Sequence, residues 1–333
     1  MLFYSAKEGS ILKRNDYLFA VASVRALENS LLTRSDLEQL INAESYEKAV
    51  TLLNEKGYNI PSGGNYSKTL DIELNGAWDY IKKAAPEAEA LNAFIIKNDF
   101  QNLKAILKAE AMGHSADDYF VKPCAFDAEK LKKAVSERRF DELPECAAGC
   151  AEKALELLST TGRAQLCDTV IDTAALEAIL CYAKSSNDDV LINYAEEYCV
   201  ATNIKTAYRA VKTGKNSVYL DMAIANCEKL KKADFVNAAA DGMEEFCDYL
   251  TNTGFSDYRA ELEKGGSAFE KYCDDKLIEI VKKAKMTAFG ISPLAAYYCA
   301  KETEVKCLRV ILSAKQSHVS TDVIRERMRE LYV

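Results

Sequence analysis

The sequence predicts an all-α chain, on three observations. Apolar residues recur with a period near 3.6 almost throughout, strand-like alternating runs of Val, Ile and Thr are nearly absent, and 333 residues hold only 14 glycines and 5 prolines. At the usual length of about 11 to 12 residues this means roughly 15 or more helices. From the N-terminus, Leu18, Val21, Ala22, Val24, Leu27, Leu31 and Leu32 read as one stripe. Leu37, Leu40 and Ile41, then Ala49, Leu52 and Leu53, read as two shorter ones. Ser35 followed by Glu38 fits a capping box at the start of the second helix. Breaks are expected at 57–65, 113–123, 213–217 and Gly265-Gly266, where Gly, Pro and small polar residues gather.

Three segments align without gaps: Asn102-Leu-Lys-Ala-Ile-Leu-Lys-Ala109, Asn203-Ile-Lys-Thr-Ala-Tyr-Arg-Ala210 and Cys307-Leu-Arg-Val-Ile-Leu-Ser-Ala314. Their first residues, the anchors, are 101 and 104 residues apart. Asp71 and Asp172 each lie 31 residues before their anchor, and Asp274-Asp275 lie 33 and 32 before the third. Upstream, Gly57, Gly162 and Gly254 each close a leucine-bearing turn, the usual glycine stop of a helix. The period divides the chain into helical repeats 1–113, 114–215 and 216–333. It is too long for tetratricopeptide or HEAT units of roughly 34 to 47 residues. Within the first anchor helix, Leu103, Ile106 and Leu107 form the buried stripe, while Lys104 and Lys108 share another face. Asp99 lies near the start of that helix, where its carboxylate can meet helix-start N–H groups and nearby cations. Glu304 takes the same place in the third repeat, and Val200 in the second.

Composition excludes several functions. A net charge of −8 disfavours nucleic-acid binding, which needs a basic face. The longest uncharged stretch, Met286 to Ala300, is too short and polar to span a bilayer, and Met1 to Lys7 lacks a signal-peptide layout. Eleven cysteines, including Cys181, Cys199, Cys227, Cys247, Cys299 and Cys307 at helical spacing among apolar residues, read as buried free thiols. Cys146 and Cys150 share a helix face without the second pair a zinc site needs. Thr213-Gly-Lys-Asn-Ser217 lacks the first glycine of a phosphate loop, since Arg209 stands there. His114 and His318 sit in no metal-binding pattern, and no Gly-x-Ser-x-Gly elbow occurs. Asp117-Asp118, Asp188-Asp189 and Asp274-Asp275 lack the third acid of a magnesium-binding Asp-Asp-x-x-Asp. Asp275 with Glu279, Glu196-Glu197, Lys231-Lys232 and Lys282-Lys283 read as solvated faces. No enzyme activity, cofactor, metal or small-molecule substrate is expected.

Tyr17-Leu-Phe-Ala-Val-Ala-Ser-Val-Arg-Ala-Leu-Glu28 with Leu31-Leu32 and Asp36-Leu-Glu-Gln-Leu40 resembles the start of the C subunit of V-type/A-type ATP synthases, the counterpart of the eukaryotic d subunit. Asn98-Asp-Phe-Gln-Asn-Leu-Lys104 and Glu302-Thr-Glu-Val-Lys-Cys-Leu-Arg309 are similar to the family at the corresponding places. Cys307 departs from it where a polar amide is frequent, and Val200 where an acid is usual. The resemblance implies three pseudo-equivalent helical subdomains forming a funnel-like assembly. It implies a peripheral seat on the cytoplasmic side of the membrane, on the proteolipid rotor ring, with the D and F subunits of the central stalk docked from the other side. The chain would then couple rotation without bond chemistry. A generic helical-repeat scaffold for another protein is the second reading. Under the first, Lys104, Lys108, Lys205, Arg209 and Arg309 form a recurrent basic set in an acidic chain. Either they pair with Asp71, Asp172 and their like inside each subdomain, or part of the set meets a stalk or ring protein.

Overall fold

The structure, a computed structural model, describes residues 17–333; the reading of Met1 to Lys7 lies outside them. The described residues form helices joined by irregular segments, with no strand beyond one isolated bridge between Cys227 and Leu230. In order the helices are α1 (17–28), α2 (Arg34–Asn42), α3 (Tyr46–Glu55), α4 (Tyr66–Ala84), α5 (Ile96–Met112), α6 (Ala128–Ser136), α7 (Glu145–Thr161) and α8 (Ala164–Ser185). Then follow α9 (Asp189–Lys212), α10 (Ser217–Ala223), α11 (Lys232–Asp241), α12 (Met243–Asn252), α13 (Ser256–Lys264), α14 (Gly266–Lys282), α15 (Ser292–Gln316) and α16 (Thr321–Glu326). Two compact units arise among the described residues: 17–88 with 264–333, and 89–263.

In the first unit α15 is buried almost all round. Every residue from Ser292 to Lys301 is buried, because the apolar run lacks the polar face of a surface helix. Pro293 in its first turn needs no helical hydrogen bond there. Leu308, Ile311 and Leu312 pack with Leu40, Ile41 and Leu53, and Trp78 meets Tyr298 edge-on at 5.3 Å. In α1 the buried stripe is Tyr17, Ala20, Val21 and Val24; Leu18 is 48% exposed and Ala22 is also exposed. Those two lie about 100° round the helix from the buried line, so they do not belong to the core stripe expected of them.

Helix α2 starts two residues earlier than Ser35 suggests. Thr33 is the N-cap, accepting from the Asp36 N–H, and the Asp36 carboxylate accepts from the Thr33 N–H. Aspartate at the third position closes the box as glutamate would. Burial pushes the Asp36 carboxyl up, but the Lys56 ammonium and the Thr33 N–H and hydroxyl outweigh it and hold it below its ordinary value. Its contribution is therefore present above the unfolded pKa of about 3.9 and is lost as pH falls through the lower folded value. Thr33→Ala is expected to cost about 1 kcal/mol at neutral pH and less in acid, read from urea midpoints.

The second unit is built on the antiparallel pair α7–α8, joined at Gly162, whose φ of 63° lets the chain stop one helix and start the next. Gly57 and Gly254 also take positive φ, as expected of stops. Val170, Ile171 and Ile179 of α8 and Leu191 and Ile204 of α9 are buried. Phe235 meets Phe246 edge-on at 5.5 Å. No cysteine is in a disulfide; of the six expected to be buried, Cys199, Cys299 and Cys307 are, Cys227 and Cys247 are half-buried, and Cys181 is exposed. Cys146 and Cys150 are half-buried, and burial pushes their thiols up to about 11 and about 12.

Candidate partner interface

Each anchor residue lies within a long helix, α5, α9 or α15, that carries the buried stripe, the anchor and the predicted cations on different faces. Asn102 donates to the Val121 carbonyl at 3.0 Å and accepts from the Val121 N–H at 2.7 Å. Asn203 does the same with Ala225, at 2.9 and 3.0 Å. An amide has one donor side and one acceptor side, so it can clamp both polar groups of a single residue in an irregular segment. Cys307 offers only a thiol, a weak donor and a weak acceptor, and its sulfur faces the Arg329 N–H. The gripped residues lie 19, 22 and 22 positions downstream of their anchors. Asn203→Ala would leave the Ala225 groups unpaired in a buried place, and is expected to cost about 2 kcal/mol. Faster amide exchange at Ala225 than in the wild type is the readout.

Buried acids hold the same straps. Asp99, 1% exposed, accepts from the Ala125 and Phe126 N–H groups at 2.9 and 2.7 Å. In α9 the residue aligned with Asp99 is the buried Val200, and the acid sits a turn earlier: Glu196 accepts from the Glu228 and Lys229 N–H groups at 2.9 and 3.3 Å. Glu197 accepts from the Tyr258 hydroxyl and from Lys229 Nζ at 3.0 Å. Glu196-Glu197 is thus buried rather than a solvated face, because the strap and Tyr258 cover it. Flanking Tyr194, Ala195, Cys199 and Val200 are apolar, a signal that could have shown it. Asp275 is likewise taken up, by the Glu330 N–H at 2.6 Å, while Asp274 pairs with Arg329 at 2.9 Å. Only Glu279 of that expected face is exposed. Glu304 accepts from the Leu32 N–H at 2.5 Å, from Lys301 Nζ at 2.7 Å and from the Tyr58 hydroxyl. Burial first, then the Glu304 charge, pushes the Tyr58 phenol far above its ordinary range.

The cations follow the repeat. Lys104 pairs with Asp172 at 2.6 Å, and Lys108 with Asp168 at 2.6 Å, tying α5 to α8. Arg309 pairs with Asp71 and donates to Ser67 Oγ at 3.1 Å, tying α15 to α4. Lys104 and Arg309 each stand two residues after an anchor, and Asp172 and Asp71 each stand 31 before one. These pairs join helices assigned to different repeats; they do not close within one. Lys205 is half-buried and Arg209 exposed. Arg209 lines a cleft of about 450 Å³ with Asp168, Asp172, Thr202 and Thr206. A larger cleft of about 1050 Å³ beside α7, α8 and α10 mixes Lys153, Arg163, Lys215 and Lys232 with Glu177 and Asp221. Among the described residues no group of three or more His, Cys, Asp or Glu could hold a metal ion. No helix among them is long and apolar enough to cross a membrane.

The sequence pattern of the ATP synthase (C/AC39) subunit family matches residues 20–327. The chain belongs to this family. It is 25% identical to the C subunit of the V-type sodium ATPase of Enterococcus hirae, over 93% of this chain and 97% of that one. It is 24% identical to the C subunit of the A-type ATP synthase of Methanocaldococcus jannaschii, over 95% and 86%. It is 23% identical to the C subunit of the V-type ATP synthase of Thermus thermophilus, over 91% and 95%. The resemblance read from the opening, Asn98 and Glu302 segments holds, therefore, across nearly the whole chain. Membership of the family makes it a subunit of a rotary ATPase, with partners in that complex.

Proposed function

We propose that the chain is the non-catalytic central-stalk coupling subunit of a V/A-type rotary ATPase. It links the D–F rotor stalk to the membrane proteolipid ring, on the cytoplasmic side, in proton or sodium transport. The observation that carries this is the family match over 20–327. The strapped anchor helices support it, since a coupler must transmit torque without yielding. Three repeats, 1–113, 114–215 and 216–333, would form three pseudo-equivalent subdomains around a funnel. Recovery of proteolipid, D and F with the tagged chain from native membranes is the expected result; recovery of other proteins without any of them would overturn it.

The interface is assigned to the faces bearing Lys104, Lys108, Lys205, Arg209 and Arg309, where charge steers association and fixes register more than it adds affinity. Reversing Lys104 and Lys205 to Glu is expected to weaken assembly with the stalk or ring, more at low salt, with the isolated chain still folded. A double mutant that unfolds would show that bracing, as Lys104 braces α5 against α8, is their whole role, and one that assembles like the wild type would remove them from the interface.

A further inference from the structure

The strap over α9 lays two cysteines against each other. Cys199 lies one turn before Asn203 and is wholly buried; Cys227 lies two residues past Ala225 and is partly exposed. Asn203 Nδ2, while donating to the Ala225 carbonyl at 2.9 Å, stands 3.6 Å from Cys199 Sγ and 3.9 Å from Cys227 Sγ. Both sulfurs thus lie against the same amide nitrogen. Because the amide clamp fixes the strap on the helix, it also fixes the register of the two sulfurs.

We propose that Cys199 and Cys227 are a modification site, forming a reversible disulfide when the chain meets a hydroperoxide. A coupling protein gains from this a strap that can be locked, although the chemistry does not depend on that role. Cys227 is the attacking group. It is the one with access to solvent, and the neighbouring Cys199, then the Leu230 and Asn203 N–H groups, hold its thiol below the ordinary range against burial and the Glu196 charge. Cys199, beside Cys227 and in a more buried place, is pushed the other way. An attacking cysteine with access to solvent beside a sheltered resolving cysteine is the arrangement that gives a disulfide rather than over-oxidation.

The Cys227 thiolate attacks one peroxide oxygen; the O–O bond breaks, leaving a sulfenic acid on Cys227 and hydroxide. The Cys199 sulfur then attacks the Cys227 sulfur as its proton leaves. The S–O bond breaks and the hydroxyl departs as water. Two thiols lose two electrons in all, and hydrogen peroxide becomes two waters. A dithiol reverses the change. The new bond ties the strap covalently to α9 and closes a loop holding the end of α9 and all of α10.

The test uses the full chain treated with equimolar hydrogen peroxide, followed by alkylation of remaining thiols and peptide mapping. The expected product is one disulfide per chain joining the peptides of Cys199 and Cys227, removed by dithiothreitol. Amide exchange in residues 225–230 should slow by about tenfold or more on oxidation. Cys227→Ser should leave Cys199 reduced under the same dose. Three results would overturn the proposal: oxidation of the exposed Cys181 with the pair still reduced, a sulfinic acid on Cys227, or linkage of Cys227 to another cysteine. Mapping of the wild type decides the matter even where the variant folds poorly.

Discussion

Glu304→Ala is expected to destabilise the unit of residues 17–88 and 264–333 by about 3 to 5 kcal/mol, the range for breaking a buried ion pair from one side. Glu304 is 1% exposed and takes three donors: the Leu32 N–H, the Tyr58 hydroxyl and Lys301 Nζ. Removing it leaves Lys301, itself buried, with the Tyr58 hydroxyl at 3.1 Å and Glu73 at 3.9 Å. A hydroxyl solvates an ammonium poorly, and at 3.9 Å Glu73 compensates only in part. Charge, more than cavity, thus sets the magnitude. Lys301→Met combined with Glu304→Ala should then cost less than Glu304→Ala alone. Urea midpoints read both, and a double variant weaker than the single would show that the lysine charge is not the source of the loss. The related cluster in α9 is expected to be milder. Glu197→Ala removes the partner of Lys229, but Lys229 is 36% exposed and can turn into water.

Clusters of this kind mark the boundary of what the sequence discloses. Periodicity carries the all-helical class, the glycine stops and the inner faces of α5, α9 and α15, because each is a local property of amphipathic helices. The anchors are visible as a spacing, but their work is not. Val121, Ala225 and Arg329 lie in segments with no helical period, so nothing in the local pattern says which residue an anchor grips. Glu196 and Glu197 look solvated in the sequence for the same reason: their burial depends on a strap 32 residues away and on Tyr258, 61 residues away. The basic set stands out as a pattern, yet spacing does not tell that Lys104 reaches Asp172 and Arg309 reaches Asp71, 68 and 238 residues apart. Thr33 and Ser35 both fit a cap, and only the backbone of the entering chain separates them.

Leu103→Ala and Ile204→Ala are each expected to cost about 2 to 5 kcal/mol, the range for truncating a buried large aliphatic side chain. Leu103 is 1% exposed and Ile204 wholly buried, and each directly follows a clamping asparagine. Their places within that range differ for a physical reason. Around Leu103 the inner face of α5 carries Phe100, Ile106 and Leu107, whose side chains can shift to fill part of a cavity. Around Ile204 the inner face of α9 carries Val200, Ala201, Ala207 and Ala210, of which only Val200 has more than a methyl group to move in. A void there keeps its volume, so Ile204→Ala belongs near the upper end and Leu103→Ala nearer the lower. Ile204→Val, which removes one methyl group, should cost only about 1 kcal/mol. Equilibrium urea unfolding with unchanged slopes is the measurement. Midpoints that stay at the wild-type value for both alanine variants would mean that the packed faces of α5 and α9 are not where the periodicity of the anchor segments puts them.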